Sequence, residues 1–401
     1  MYFIAAILFV LAATPVLCTA WLDPGKPTHE PIRRLQTRLD TGRVKPKIFI
    51  LSTFLNEAEA WRGIPEFDVF AQNISVPGLS PLFPNAHCVA NGDICQVTTG
   101  EGEINAAISV SSLLASPKFD LTNTYFLVAG IASINPKQGT LGSVAFARYA
   151  IQVGLQHEID AREISSQMTT GFIPQGSKSS DEFPHFIFGT EVFELNSALR
   201  TEAVRLANQA YLNDSDEAIV YRGNYQTKEN VYNPGCSPPT VIECDVVTSD
   251  TWFSGSKLGD AFENYAKLVT AGGVYCAAAQ EDNAILAALL RGSAMQLVDF
   301  GRIIVMRTGS DFDRPYPEQG VTENLFWNDT ARSTPAIQNI YIAGIEVING
   351  ILSNWTRTYE KGIKPINYIG DILGSLGSRA PFLPEDRVIS PSSAGKGGRG
   401  M

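Results

Sequence analysis

Short apolar runs ending in glycine or an acidic residue alternate with helical stretches along most of this chain, and no other feature limits its fold so tightly. "KPKIFILST" (45–53) predicts a buried strand, with "NEAEAWRG" a turn and helix start after it. "ICQVTTG" predicts a strand that ends in "GEGEIN", and "NAAISVSSLLAS" a helix behind it. "TYFLVAG" is a third strand, closed by "IASINPKQGTLGS", and "VAFARYAIQV" a fourth. Then come a helix over 190–211, a strand near 241–248, an apolar helix over 275–290 and the strand "GRIIVMRTG". Such exchange of strand and helix predicts an α/β fold, with helices layered on a largely parallel or mixed sheet. Ligands in these folds gather beyond the carboxyl ends of the strands. No repeat of about 20–50 residues recurs, which speaks against a solenoid.

The run "YCAAAQEDNAILAALL" (275–290) sets a problem of its own. Wound as one helix, it spreads Glu281, Asp282 and Asn283 over about 200° of circumference. The neighbours of Glu281 on its own face are Val274, Ala277, Ala278, Ala284, Ile285 and Ala288, all apolar. A buried carboxylate is costly unless something pairs with it. Glu281 is therefore a candidate ligand-binding group, and a structural hydrogen-bonded pair is the competing reading.

Other strand ends carry chemistry too. Phe54 and Glu57 follow the first strand, and the Gly100-Glu101-Gly102 turn follows the second. Ile131-Ala132-Ser133 follows the third as a small-residue turn whose amides could face a ligand. Ser310-Asp311-Phe312-Asp313 follows the last, and Trp252-Phe253 sits in "TSDTWF". Carboxylates, aromatic rings and open backbone suit a neutral, flat, hydroxyl-bearing ligand such as a nucleoside. The plainer alternatives are acidic residues that cap helices or face solvent, and aromatic residues in the core. There is no G-x-S-x-G elbow, H-E-x-x-H or phosphate-binding G-x-x-x-x-G-K-[ST]. His157, Glu158 and Asp160 in "QHEIDARE" match no metal-ligand spacing, so no metal and no cofactor is expected.

A net charge of -10 argues against nucleic acid or an anionic membrane surface as the main partner. Residues 1–20 read as a signal peptide, with a short apolar core and Cys18-Thr19-Ala20 as the cleavage site. A retained anchor is the competitor. An extended lead-in (21–44), one domain (45–385) and a flexible tail (386–401) complete the expected organisation. Sequons at Asn73, Asn213, Asn328 and Asn354 agree with a secreted or cell-surface location. Cys88 and Cys95 flank "VANGDI", Cys236 and Cys244 flank "SPPTVIE", and each pair could close a local disulfide. Free thiols are the alternative, and Cys276 reads as a lone buried thiol. Residues 335–355 are apolar but carry Gln338, Asn339, Glu346 and Asn349, so they predict an amphipathic helix. No spanning segment is expected in the mature chain.

"TTGEGEINAA", "VAGIASINPKQGTLGSVAFARYA", "HEIDAREI", "YCAAAQEDNAILAAL" and "RTGSDFDRP" resemble the fungal purine nucleoside permeases over roughly residues 45–385. More weakly, the same order of motifs is similar to the nucleoside phosphorylase and nucleosidase superfamily. That resemblance implies a nucleoside phosphorylase-like α/β/α sandwich around a mixed sheet, with homo-oligomers usual among relatives. It implies that Glu281 holds the ribose 2′- and 3′-hydroxyls and that Asp311 supplies the proton to purine N7. Asp313 is the less favoured candidate on spacing. Trp252 or Phe253 falls on the base-stacking aromatic, Phe54 on an apolar sugar contact, and Glu57 on a water-activating glutamate. Phosphorylases commonly carry arginine and serine around the third strand's glycine to grip phosphate. Here "FLVAGIAS" offers Val128 and Ile131, so water is favoured as nucleophile. Phosphate is the co-substrate only in the phosphorylase alternative, with Arg62, Arg148 or Arg307 left to hold it. The implied function is purine nucleoside binding with cleavage of the N-glycosidic bond, in support of uptake or salvage. The alternatives are a non-catalytic nucleoside-binding component of transport, and a storage or structural protein whose pocket has decayed.

Overall fold

A computed structural model describes residues 42–326 and 330–384. The expected signal peptide, nearly all of the lead-in, the tail and the sequon at Asn328 lie outside those residues. Among the described residues the strands are β1 (Ile48–Ser52), β2 (Gln72–Ser75), β3 (Asn85–Cys88), β4 (Ile94–Thr98), β5 (Tyr125–Ile134), β6 (Val144–Phe146), β7 (Tyr149–Gln152), β8 (Gln156–Glu158), β9 (Phe172–Pro174), β10 (Val192–Glu194), β11 (Val241–Glu243), β12 (Asp245–Thr248), β13 (Tyr275–Ala279), β14 (Ile303–Phe312) and β15 (Gly370–Asp371). The helices are α1 (Leu55–Glu59), α2 (Glu103–Ala115), α3 (Ser197–Ala207), α4 (Asp216–Gly223), α5 (Asn233–Cys236), α6 (Ser256–Val269), α7 (Asp282–Ala294), α8 (Val321–Phe326) and α9 (Thr330–Ser353).

β8 and β9 pair apart; the other strands join one mixed sheet in the order β15-β10-β7-β12-β13-β5-β1-β4-β3-β2. β14 pairs with β5 and continues through β6 to β11. Successive side chains of a strand face opposite ways, and the central strands are apolar on both sides. Phe49, Leu51, Phe126, Val128, Ile303 and Val305 pack with α2 and α7. Ile48, Ile50, Leu127, Ala129, Ile304 and Met306 pack with α3 and α9. The result is three layers, helix–sheet–helix, as the α/β alternation predicts. Residues Ser333–Ser353 of α9 are long and apolar enough to pass as a membrane span by length and composition. Ala336, Ile340, Ala343, Val347 and Ile348 are nevertheless buried in the core shared with the sheet.

Several expectations need correction. Residues 275–290 are not one helix: Tyr275–Ala279 forms β13, and α7 begins only at Asp282. The segment Tyr275–Ala279 bonds between β12 and β5, so sheet pairing overrides alanine's preference for helix. Glu281 is thus the residue before α7 rather than a member of a helix face. Ile131, Ala132 and Ser133 do not form a turn; β5 runs through them, paired with β14. Likewise Asp311 lies inside β14, opposite Ser133 across a register shift. The 190–211 stretch divides into β10 and α3, with the Asn196 side chain accepting from the Ala198 and Leu199 amides at the helix start.

The Cys88–Cys95 disulfide forms as expected. The second expected pair does not: Cys244 bonds Cys276, and Cys236 is free. Cys244 directly precedes β12, Cys276 lies in β13, and these strands are neighbours in the sheet. Proximity through the sheet, across 32 residues of sequence, decided the pairing.

Candidate active site

The two edges of β5 are used differently. β14 follows one edge from Phe126 to Ile134. Along the other edge, β1 lies parallel beside Tyr125–Val128, and β13 runs antiparallel beside Ser133 and Ile134. β1 and β13 therefore point their carboxyl ends at each other, and the residues after each strand meet beside Gly130 and Ile131. A cavity of about 370 Å³ opens there. Glu57, Phe54, Ala132, Ser133, Trp252, Phe253, Glu281 and Asp311, all singled out from the sequence, line it together.

Glu57 sits in the first turn of α1 and is buried. Its Oε2 accepts from the Thr53 amide at 2.6 Å and the Thr53 hydroxyl at 2.9 Å. Its Oε1 accepts from the Ile131 amide at 2.8 Å and lies 3.7 Å from Arg307 Nη1. Burial pushes the Glu57 pKa above the ordinary carboxylate range, against the opposing pull of Arg307 and these donors.

Glu281 faces the same space from the turn between β13 and α7. Its Oε1 accepts from the Gly102 amide at 3.0 Å, and its Oε2 stands 3.8 Å from Arg307 Nη2. Gly100 and Gly102 hold φ values of 83° and 85°, backbone that glycine adopts without strain. This explains the glycine-rich turn: it bends the chain so that the amide at the start of α2 meets Glu281. Burial pushes Glu281 up to about 7, with Arg307 and the Gly102 amide opposing.

Asp311 accepts from two hydroxyls, Ser133 Oγ at 2.6 Å and Ser310 Oγ at 2.7 Å. Burial raises its pKa, while the two serines and the Trp252 side chain pull it back. Trp252 is 53% exposed at the cavity edge. Phe253 is half-buried and packs edge-on to Phe262, with ring centroids 4.8 Å apart. Neither is the wholly buried core residue of the plainer reading.

Arg307 was legible only as one of three candidate phosphate ligands, and its position is different. It lies opposite Gly130 in the β14–β5 register and is buried behind the cavity wall. Its Nε donates to Asp282 Oδ1 at 3.2 Å, and its Nη1 donates to the Ile131 carbonyl at 3.2 Å. Gly130 carries no side chain because a Cβ there would collide with Glu57 Oε1 and Arg307 Nη1. Of the other two arginines, Arg148 pairs with Glu194 and Arg62 with Glu59. Neither lines the cavity, and among the described lining residues there is no lysine or arginine.

Thr53, Gly130, Tyr221 and Asn324 were not legible as site residues. The Tyr221 hydroxyl donates to Asn324 Oδ1 at 3.1 Å, and both residues line the cavity. Asn283 faces away from it: its Oδ1 accepts from the Thr248 hydroxyl at 2.8 Å and its Nδ2 donates to the Thr190 carbonyl at 2.7 Å. Asp313, the less favoured candidate, does not line the cavity at all. It is fully buried, accepts from the Tyr275 hydroxyl at 2.6 Å, and pairs with Arg314 at 2.8 Å.

Comparison with known proteins agrees with the earlier resemblance. The family described as purine nucleoside permease (NUP) matches residues 45–364. A protein of Candida albicans named purine nucleoside permease is 43% identical over 349 residues, covering 85% of this chain and 84% of its own length. A probable purine nucleoside permease of Schizosaccharomyces pombe is 39% identical over 323 residues, covering 78% of this chain and 90% of its own length. Among solved structures, a Helicobacter pylori methylthioadenosine/S-adenosylhomocysteine nucleosidase mutant with 5′-methylthioadenosine in its active site superposes with a TM-score of 0.47 at 13% identity. That match covers 76% of this chain and 99% of the nucleosidase. Futalosine hydrolase of the same organism gives a TM-score of 0.46 at 14% identity, covering 76% of this chain and 98% of the hydrolase.

Proposed function

The chain belongs to the purine nucleoside permease family, and on that premise we propose that its cavity binds a purine nucleoside and hydrolyses the N-glycosidic bond. One observation carries the choice of nucleophile. The described lining holds Glu57, Glu101, Glu281 and Asp311 and no lysine or arginine, while Arg307 behind the wall is committed to carboxylates. Such a lining offers phosphate no counter-charge, whereas its carboxyl groups accept hydrogen bonds from hydroxyls and water.

In this reading Trp252 and Phe253 clamp the base, and Phe54 covers the sugar. Glu281 accepts from the ribose hydroxyls as positive charge develops on the sugar. Asp311, held above its ordinary pKa by burial, delivers a proton to purine N7 as the C1′–N9 bond breaks. Water adds to C1′ and gives its proton to Glu57, so that ribose and the free base leave. General acid and base help of this kind is worth about 10²- to 10⁴-fold per group. Two disulfides support an oxidising compartment, and cleavage outside the cell would release a base for uptake. Incubation with inosine or adenosine, with and without phosphate, tests the proposal. Free ribose without phosphate is the expected result, and unchanged nucleoside in both tubes overturns it. Ribose 1-phosphate formed only with phosphate would replace hydrolysis by phosphorolysis.

One observation favours a second reading, capture without cleavage in support of transport. Glu57 already accepts three hydrogen bonds, two at Oε2 from Thr53 and one at Oε1 from Ile131, which leaves about one of its four lone-pair sites for a water. Tight nucleoside binding with no product after long incubation would select that reading.

A further inference from the structure

Asp282 is a fully buried carboxylate that the proposed chemistry does not use. It lies outside the cavity lining, at the first position of α7. Its Oδ1 accepts from Arg307 Nε at 3.2 Å, and its Oδ2 faces Arg307 Nη2 at 3.1 Å. Neither Asp282 Oδ2 nor Arg307 Nη2 makes a well-directed hydrogen bond to any described residue. The guanidinium's contacts with the other two carboxylates are longer. Nη1 stands 3.7 Å from Glu57, and Nη2 stands 3.8 Å from Glu281. One cation is therefore shared by three carboxylates, and the one nearest to it is the one that cannot touch a ligand.

We propose that Asp282 is a positioning residue that holds Arg307 on the far side of the cavity wall, so that Glu57 and Glu281 keep only a partial share of its charge. The functional consequence rests on the nucleoside-cleaving reading; the electrostatic claim does not. A guanidinium free to close on either cavity carboxylate would hold it ionised. Anchored by Asp282, it leaves Glu281 poised at about 7, with Asp282 itself among the charges that raise it. The groups facing Glu281 are Arg307 from β14, Glu57 from α1, Asp282 from the start of α7 and the Gly102 amide before α2. Glu101 and Asp311 complete the acidic lining. One cation serves both cavity carboxylates, so the position of Arg307 decides how strongly it offsets burial at Glu57 and at Glu281.

The test is the substitution Asp282→Asn, which keeps the shape and removes the charge. Carboxylate ¹³C NMR on the free, full-length protein follows the Glu281 titration with no ligand and no activity needed. The midpoint falls in the variant, because the Asp282 charge that raises it is gone and because Arg307 shifts toward the cavity carboxylates. An unchanged midpoint in a folded Asp282→Asn protein, or a lower one with the Arg307 side-chain ¹⁵N signals unmoved, overturns the proposal. Asp282→Ser, smaller and equally neutral, gives the same comparison if the asparagine variant does not fold. Where the protein cleaves nucleoside, the acid limb of kcat/KM moves down by the same amount, because the ionised Glu281 is the form that accepts from ribose. A purely structural role for Asp282 would instead lower the profile without moving it. Absence of cleavage in the wild-type protein defeats the hydrolase reading and leaves the NMR result to judge Asp282.

Discussion

Asp311 and Asp313 stand two residues apart at the end of β14, and their surroundings differ almost completely. Asp311 has two serine hydroxyls for partners and opens on the cavity. Asp313 is fully buried and hydrogen-bonded to Tyr275 and to Arg314, which pairs also with Asp260. The same residue type near one strand end thus serves two purposes. A full-strength cation makes an aspartate a structural part, whereas neutral hydroxyl donors leave it able to take and give a proton. The cavity carboxylates Glu57 and Glu281 fall between these cases, each near Arg307 but not closed upon it.

The sharpest way to break this contrast is to neutralise each aspartate in turn. Asp311→Asn should lower kcat/KM by about 10²- to 10⁴-fold with little change in melting temperature. Asp313→Asn should leave Arg314 short of its buried partner, cost about 3–5 kcal/mol and melt earlier. Thermal unfolding beside an activity assay separates the two, and a stable Asp313→Asn protein without activity would reverse the assignment.

A smaller effect concerns pH. Burial raises the folded Glu281 pKa from 4.5 to about 7. Its contribution to stability is complete below the unfolded value and is lost as pH rises through about 7, because the folded state then carries the buried charge. The loss is on the order of 3 kcal/mol across that window. Denaturant titrations from pH 4.5 to 8 should show a decline that Glu281→Gln flattens; an equal decline in the variant would assign it elsewhere.

The aromatic residues provide the mildest contrast. Trp252→Ala, at an exposed edge, should weaken nucleoside binding by about 1–3 kcal/mol and leave stability within about 0.5 kcal/mol. Phe253→Ala removes the ring packed on Phe262 and should affect stability more than its neighbour does. Calorimetric titration with inosine and thermal melts of both variants check the order.

The sequence showed where chemistry gathers better than how the backbone delivers it. The alternation of apolar runs identified the layered α/β fold, and the strand ends pointed to Glu57 and Asp311. Glu281 was found for an incomplete reason. A short alanine-rich run reads alike as strand or buried helix, and only pairing with β12 and β5 makes Tyr275–Ala279 a strand. Arg307 stayed unplaced because periodicity cannot say that it stands across from Gly130. The Cys244–Cys276 bond was missed for the same reason, since adjacency in a sheet leaves no mark on local sequence. Contacts between distant segments were the part that required three dimensions.

Gly130 carries a consequence for how this family can vary. Its missing side chain is the space in which Glu57 and Arg307 approach each other. An alanine there would force one of the two aside, so a lineage can lose Gly130 only by giving up the charge cluster or rebuilding it. Aligned relatives should therefore change positions 57, 130, 282 and 307 together or not at all, while Trp252 at the open rim drifts with substrate preference. A relative with a bulkier residue at 130 and all three charged partners retained would show that the backbone has more give than this packing allows.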